Sequence, residues 1–160
     1  MEHPLHIPGS MDMVISQNRK MDASDSLPSH QGPPKHQTIL LVEDQPDLRQ
    51  LLKRILEIKG YTCLEAKDGR EALSILQQHP SIGLILSDYF MPGMDGLQLL
   101  QAFRQNPMNR KIPFILVTAN WSDQLRHQAL CEGAFAILAK PYLHDELFQL
   151  LEQGISPQAA

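Results

Sequence analysis

Five times along this chain a short apolar run is followed, after a few polar or turn-forming residues, by a segment whose apolar residues recur three or four positions apart. That alternation restricts the fold more than any other feature. Aliphatic runs without polar alternation suit strands buried on both faces, and parallel strands of that kind need helices as crossovers. The expected architecture is therefore α/β: a doubly wound, five-stranded parallel sheet with five helices covering both faces.

The apolar runs are Thr38 to Val42, Tyr61 to Ala66, Ile82 to Ser87, Pro113 to Val117 and Ala134 to Ala139. The helical patterns start at Pro46, Gly69, Gly96, Asp123 and His144. They end at Lys59-Gly60, at Gln78, at Gln105, near Glu132 and near Gln153. Pro46 suits a first helical turn, Ser122 is a capping residue, and Gly60 and Gly133 are stops. Residues 38–153 thus form one domain with no residues left for a second. Residues 1–37, rich in His, Pro, Ser and Gln, have no sustained apolar period beyond Met11, Met13, Val14 and Ile15 and are expected to be a disordered extension. Residues 154–160 form a short polar tail.

Composition removes several functional classes. A net charge of -4 and a pI near 5.9 give no general attraction to nucleic acid or anionic lipid. No apolar run is long enough to cross a bilayer, and no secretion signal opens the chain. A cytoplasmic protein with Cys63 and Cys131 as reduced thiols is expected. The seven histidines fall in the extension or on helices and their ends, and none is expected in a cleft.

The polar residues that terminate the apolar runs carry the chemistry. Glu43 and Asp44 follow the first run, Asp88 the third, Thr118 the fourth and Lys140 the fifth. In a parallel sheet these positions share one edge, the edge where open α/β sheets bind ligands. Met91-Pro92-Gly93 and Asp95-Gly96 fold the chain past Asp88. Three carboxylates brought together repel unless cations compensate. Lys140 supplies one charge, and hard oxygen ligands make Mg²⁺ the matching source of the rest. A carboxylate beside Mg²⁺, a lysine and a hydroxyl can attack phosphorus and carry an acyl phosphate.

Four motifs together give a resemblance. Leu-Val-Glu-Asp, Ser-Asp-Tyr-Phe-Met-Pro-Gly-Met-Asp-Gly, Val-Thr-Ala and Lys-Pro occur in this order at strand ends. From Thr38 to Gln153 the chain resembles a response-regulator receiver domain of bacterial two-component signalling, in its stand-alone, chemotaxis-regulator-like form. The resemblance implies a flavodoxin-like fold, Asp88 as phospho-acceptor, and a Mg²⁺ site formed by Glu43, Asp44, Asp88 and the carbonyl of Phe90. It also implies that Lys140, Thr118 and the Ala119 amide contact the phosphoryl group, and that the Lys140-Pro141 bond is cis. Ile137 stands where this family often carries an aromatic switch residue coupled to the threonine. Phe135, two residues earlier and on the same face by alternation, is the candidate substitute; Tyr142 is the other nearby aromatic.

The function expected is that of a single-domain response regulator. It would be phosphorylated by a histidine kinase or phosphotransfer protein and would act by protein contact through the helix 4, strand 5 and helix 5 face, with a homodimer as one form. Trp121 lies beside that face. Its chemistry would be confined to its own phosphorylation and dephosphorylation, so it is not read as an enzyme. The alternative is a receiver-fold adaptor that does not use phosphorylation. A metal-dependent phosphatase would want an acid at position 90, where Phe90 stands, and a flavodoxin would want a phosphate loop after the first strand.

Overall fold

The structure, a computed structural model, describes residues 37–156. Five parallel strands, β1 (Thr38–Val42), β2 (Thr62–Ala66), β3 (Ile82–Asp88), β4 (Phe114–Thr118) and β5 (Ala136–Ala139), form one sheet in the order β2-β1-β3-β4-β5. The helices are α1 (Pro46–Ile58), α2 (Gly69–Gln78), α3 (Gly96–Arg104), α4 (Asp123–Cys131) and α5 (His144–Ile155). This is the flavodoxin-like, doubly wound arrangement.

Alternation along the central strands sorts the core into two layers. Ile39, Leu41, Leu84, Leu86, Ile115 and Val117 point to one side and pack with Leu52 and Leu56 of α1 and Leu147 and Leu151 of α5. Leu40, Val42, Ile85, Phe114 and Leu116 point to the other and meet Ala72 of α2, Leu99, Leu100 and Phe103 of α3, and Ala129 of α4. The interior strands are buried nearly throughout, while the edge strands β2 and β5 are only partly covered. Each fully buried Leu or Ile contributes about 1.5–3 kcal/mol, which is why uninterrupted aliphatic runs mark the three central strands.

Local signals set the ends. Asp68 and Ser122 accept hydrogen bonds from Glu71 N–H and Leu125 N–H, and Asp95 and Gln98 form a reciprocal capping box on α3. Gly60 and Gly133 adopt φ of 95° and 93° after α1 and α4, a conformation that favours glycine.

Three details differ from the sequence reading. A 3-10 turn, Pro107–Lys111, follows α3, with the Asn106 side chain accepting from Met108 N–H. Helix α5 carries on through Gly154 and Ile155, where a polar tail was expected, because the small Gly154 packs close to Leu84 and Pro113. Phe135 does not share a face with Ile137: it lies against the α1/α5 layer, whereas Ile137 packs on the α2–α4 layer. The chain has just left the Gly133 turn there, so strict alternation begins only at Ala136. The expected disorder of residues 1–37 falls, but for Gln37, outside the described residues.

Candidate functional site

The strand register brings the chemistry to one edge. Val42 pairs with Ser87 and with Ala66, Asp88 with Val117, and Thr118 with Ala139, so the residues next in sequence emerge side by side. Glu43 and Asp44 leave β1, Asp88 closes β3, Thr118 closes β4 and Lys140 leaves β5. Ligand atoms of Glu43, Asp44 and Asp88 lie within 4.8 Å of one another. Lys140 Nζ stands 3.0 Å from Asp88 Oδ1 and 3.6 Å from Glu43 Oε2.

Burial makes this cluster costly. It pushes the Asp88 carboxyl above the usual aspartate range; Lys140 and the Tyr89 N–H pull it down, and Asp44 adds to the rise. Burial likewise raises Glu43, opposed by the Gln45 N–H, while Asp88 pushes it further up. For Lys140, burial favours the neutral amine, but contact with Asp88 and Glu43 outweighs it and the ammonium is held more firmly than usual. Lys140 is therefore charged at neutral pH, a single cationic side chain beside three carboxyl groups.

Thr118 is wholly buried, and its hydroxyl accepts from Asn120 N–H at 3.1 Å and donates to Asn120 O at 3.4 Å. Lys140-Pro141 is cis. Phe90 is half-exposed and meets Tyr89 edge to face, with ring centroids 4.8 Å apart. Tyr142 is half-buried and lines a small void with Glu43, Asp88 and Lys140. Ile137 lies on β5 across from Leu116, away from this group.

Other residues shape the site without any sequence signal for that role. Gly96 packs so closely under the loop after β3 that a Cβ there would collide with the Asp88 carbonyl oxygen. Its N–H donates to Tyr89 O at 2.9 Å, tying the start of α3 to the end of β3. Beside Lys140, an apolar groove of about 460 Å³ runs between α1 and the start of α5, lined by Leu48, Leu51, Ile55, Ala119, Tyr142 and His144 among others. His144 is exposed at the start of α5, as expected, and borders this groove.

Comparison with known proteins agrees with the geometry. The response regulator receiver domain family matches residues 39–152. The chain belongs to this family. It is 36% identical over 115 residues to a probable chemotaxis protein CheY of Rhizobium etli, a match covering 71% of this chain and 88% of that protein. It is 32% identical over 115 residues to the phosphate regulon transcriptional regulatory protein PhoB of Pseudomonas aeruginosa, covering 72% of this chain and 50% of that relative. The solved chemotaxis protein CheY4 of Vibrio cholerae superposes with a TM-score of 0.70 at 30% identity, covering 74% of this chain and 98% of that one.

Receiver domains bind Mg²⁺ at an acidic pocket, and the residues of this receiver domain fit that ion. Three hard carboxylate donors lie close enough to share one small cation, no His or Cys joins the group, and the excess negative charge needs a cation for balance. Among the described residues no helix is long and apolar enough to cross a membrane. Cys63 and Cys131 are both free, and burial pushes the Cys63 thiol up to about 12.

Proposed function

We propose that this receiver domain, residues 38–153 between an extension and a short tail, accepts a phosphoryl group on Asp88. The observation that carries the proposal is the half-screened acid cluster. Asp88 sits 3.0 Å from the Lys140 ammonium and within 4.8 Å of Glu43 and Asp44 donor atoms, at the carboxyl edge of a parallel sheet.

A carboxylate oxygen of Asp88 forms the new bond to phosphorus as the bond to the donor's imidazole nitrogen, or to the oxygen of a small acyl phosphate, breaks. The leaving group keeps that electron pair and takes a proton from solvent. Mg²⁺, held by Glu43, Asp44, Asp88 and the Phe90 carbonyl, would neutralise charge on the transferring oxygens when bound. Lys140 shifts from its contact with Asp88 to a phosphoryl oxygen, and the Ala119 N–H and the Thr118 hydroxyl donate to the others. Water attack on phosphorus reverses the modification. The chain thus catalyses only changes in its own phosphorylation.

Receiver domains interact with histidine kinases or phosphotransfer proteins. For this chain the groove bordering Ala119 and Lys140 supports such a donor approaching from the α1 and α5 side. Output would pass through the α4, β5 and α5 face, where Trp121 and Leu130 are exposed, to a protein target or a second copy in the cytoplasm. Thr118 is the switch residue at the site; Ile137, expected as its partner, pairs with Leu116 rather than with Thr118, so any coupling between them would be indirect.

Intact mass after incubation with Mg²⁺ and acetyl phosphate tests the reading. One phosphate adduct that requires Mg²⁺ and is absent from Asp88→Asn is expected. A folded wild type that gains no mass would favour a receiver-fold adaptor working without phosphorylation.

A further inference from the structure

The acidic pair on the β1–α1 loop is held from outside the site by a side-chain relay. Arg49, on the first turns of α1, donates from Nη1 to the carbonyl oxygen of Glu43 at 2.7 Å. Its Nε lies 3.5 Å from Glu65 Oε1 on the neighbouring strand β2. Glu65 is in turn fixed by Lys53 at 2.6 Å and Gln50 at 2.7 Å, both from α1. The Glu43 N–H bonds to Ala66 O at 3.1 Å, and the Gln45 N–H bonds to Glu43 Oε1 at 3.1 Å. The loop is thereby fastened at its amide, its carbonyl and its side chain. The carbonyl contact is the one supplied by a side chain from outside the loop, and a planar, forked guanidinium suits reaching the carbonyl and Glu65 together.

We infer that Arg49, oriented by Glu65, is a positioning residue for the divalent-cation site: by holding the Glu43 carbonyl it fixes the direction in which Glu43 and Asp44 leave the strand. The inference rests on the magnesium reading above and concerns how this chain prepares its ligands. Ligands held in place bind a cation without ordering a loop at the moment of binding, and groups that orient metal ligands typically change affinity about 10–100-fold when removed.

The sign of the effect separates positioning from plain electrostatics. Arg49 is a positive charge next to a cation site. If it acted only through its charge, removing it would tighten Mg²⁺ binding; if it positions the loop, removing it weakens binding. Glu65→Gln loosens the anchor of Arg49 but also removes an anion, which by charge alone weakens cation binding, so the sign at Arg49→Ala decides.

The test is a Mg²⁺ titration of the full chain followed by amide ¹H–¹⁵N shifts, which report binding and folding in one spectrum. Arg49→Ala is expected to raise the Mg²⁺ dissociation constant about tenfold, Glu65→Gln less, and Arg49→Lys to recover only part of the loss. A dispersed spectrum for each variant establishes that the fold persists. Wild type that binds Mg²⁺, with an Arg49→Ala variant that binds as tightly or more tightly, overturns the inference and leaves the magnesium reading standing. Wild type showing no Mg²⁺-dependent shifts at Glu43 to Gln45 or at Asp88 overturns both.

Discussion

Asp88→Asn should make the metal-free protein more stable. Each of the other two carboxylates has a ligand atom within 4.8 Å of Asp88, and at an effective dielectric of about 20 such a pair repels by roughly 3–4 kcal/mol. The Lys140 ammonium at 3.0 Å attracts by roughly 5–6 kcal/mol on the same footing. Two repulsions exceed one attraction, and burial adds to the cost of the charge. After discounting for water and counterions, removing the charge gains about 1–2 kcal/mol. For a domain of this size that is a rise in Tm of about 3–8 °C. The pH dependence follows the same sign. Asp88 and Glu43 have raised folded-state pKa values, so both bind protons more tightly folded than unfolded. Their cost is present at neutral pH and lifts as pH falls through those raised values. Wild-type stability should therefore gain on the variant under mild acid. Mg²⁺ at ten times its dissociation constant should stabilise wild type by about 1.4 kcal/mol and the variant by less. Calorimetric melts with EDTA and with MgCl₂ at neutral and mildly acid pH measure all three effects. A lower Tm for Asp88→Asn in EDTA would refute the reasoning, because the Lys140 pair would then outweigh the crowding.

Phe90→Asn should shorten the phosphorylated lifetime several-fold by replacing a half-exposed ring two residues beyond Asp88 with a side chain that can orient water; loss of the phosphate adduct by timed intact mass is the check, and an unchanged half-life would sink the idea. Gly96→Ala should cost about 1–3 kcal/mol in denaturant melts and slow phosphoryl uptake, since its Cβ displaces the Asp88 carbonyl; a variant as stable and as fast as wild type would contradict the close approach. Thr118→Val should still take up phosphate, yet lose any phosphorylation-dependent change in Trp121 fluorescence, because no hydroxyl is left to leave Asn120; an undiminished signal would place the coupling elsewhere.

The strands and helices were legible because their signals are local. Burial on both faces writes β1, β3 and β4 as aliphatic runs, and Pro46, Ser122, Gly60 and Gly133 mark helix ends through backbone chemistry alone. The convergence of Glu43, Asp44, Asp88, Thr118 and Lys140 was also legible, since parallel topology carries strand-end residues to one edge whatever their separation in sequence. What stayed hidden depends on contacts between elements. Arg49 and Glu65 are sixteen positions apart on a helix and a strand, and each reads in sequence as an ordinary solvated charge. Gly96 reads as turn chemistry, although its close contact is with the carbonyl of Asp88. Phe135 was placed on the wrong face because a period of two was extended back into a turn, and only the position of Gly133 limits how far that period holds.

The charge balance at the site bears on how the proposed phosphorylation would be passed on. Asp88 is crowded by like charges, so the carboxylate cluster by itself is a high-energy arrangement held together by the buried aliphatic sheet around it. Any step that balances the charge, whether by a cation or by moving negative charge outward from the sheet edge, lowers that energy and changes which neighbours are best placed. Lys140 already contacts Asp88 and stands ready to follow the charge. Thr118 is different, because its hydroxyl is spent on two Asn120 backbone contacts of 3.1 and 3.4 Å. Under the proposed phosphorylation, one charge-assisted bond to a phosphoryl oxygen, about twice as strong as a neutral one, would offset the loss of both contacts. On that reading the exchange would release Asn120, and with it the two-residue approach through Trp121 to the Ser122 cap of α4. The proposed phosphorylation would thus convert electrostatic crowding at the end of β3 into freedom at the start of α4, beside the exposed Trp121 side chain.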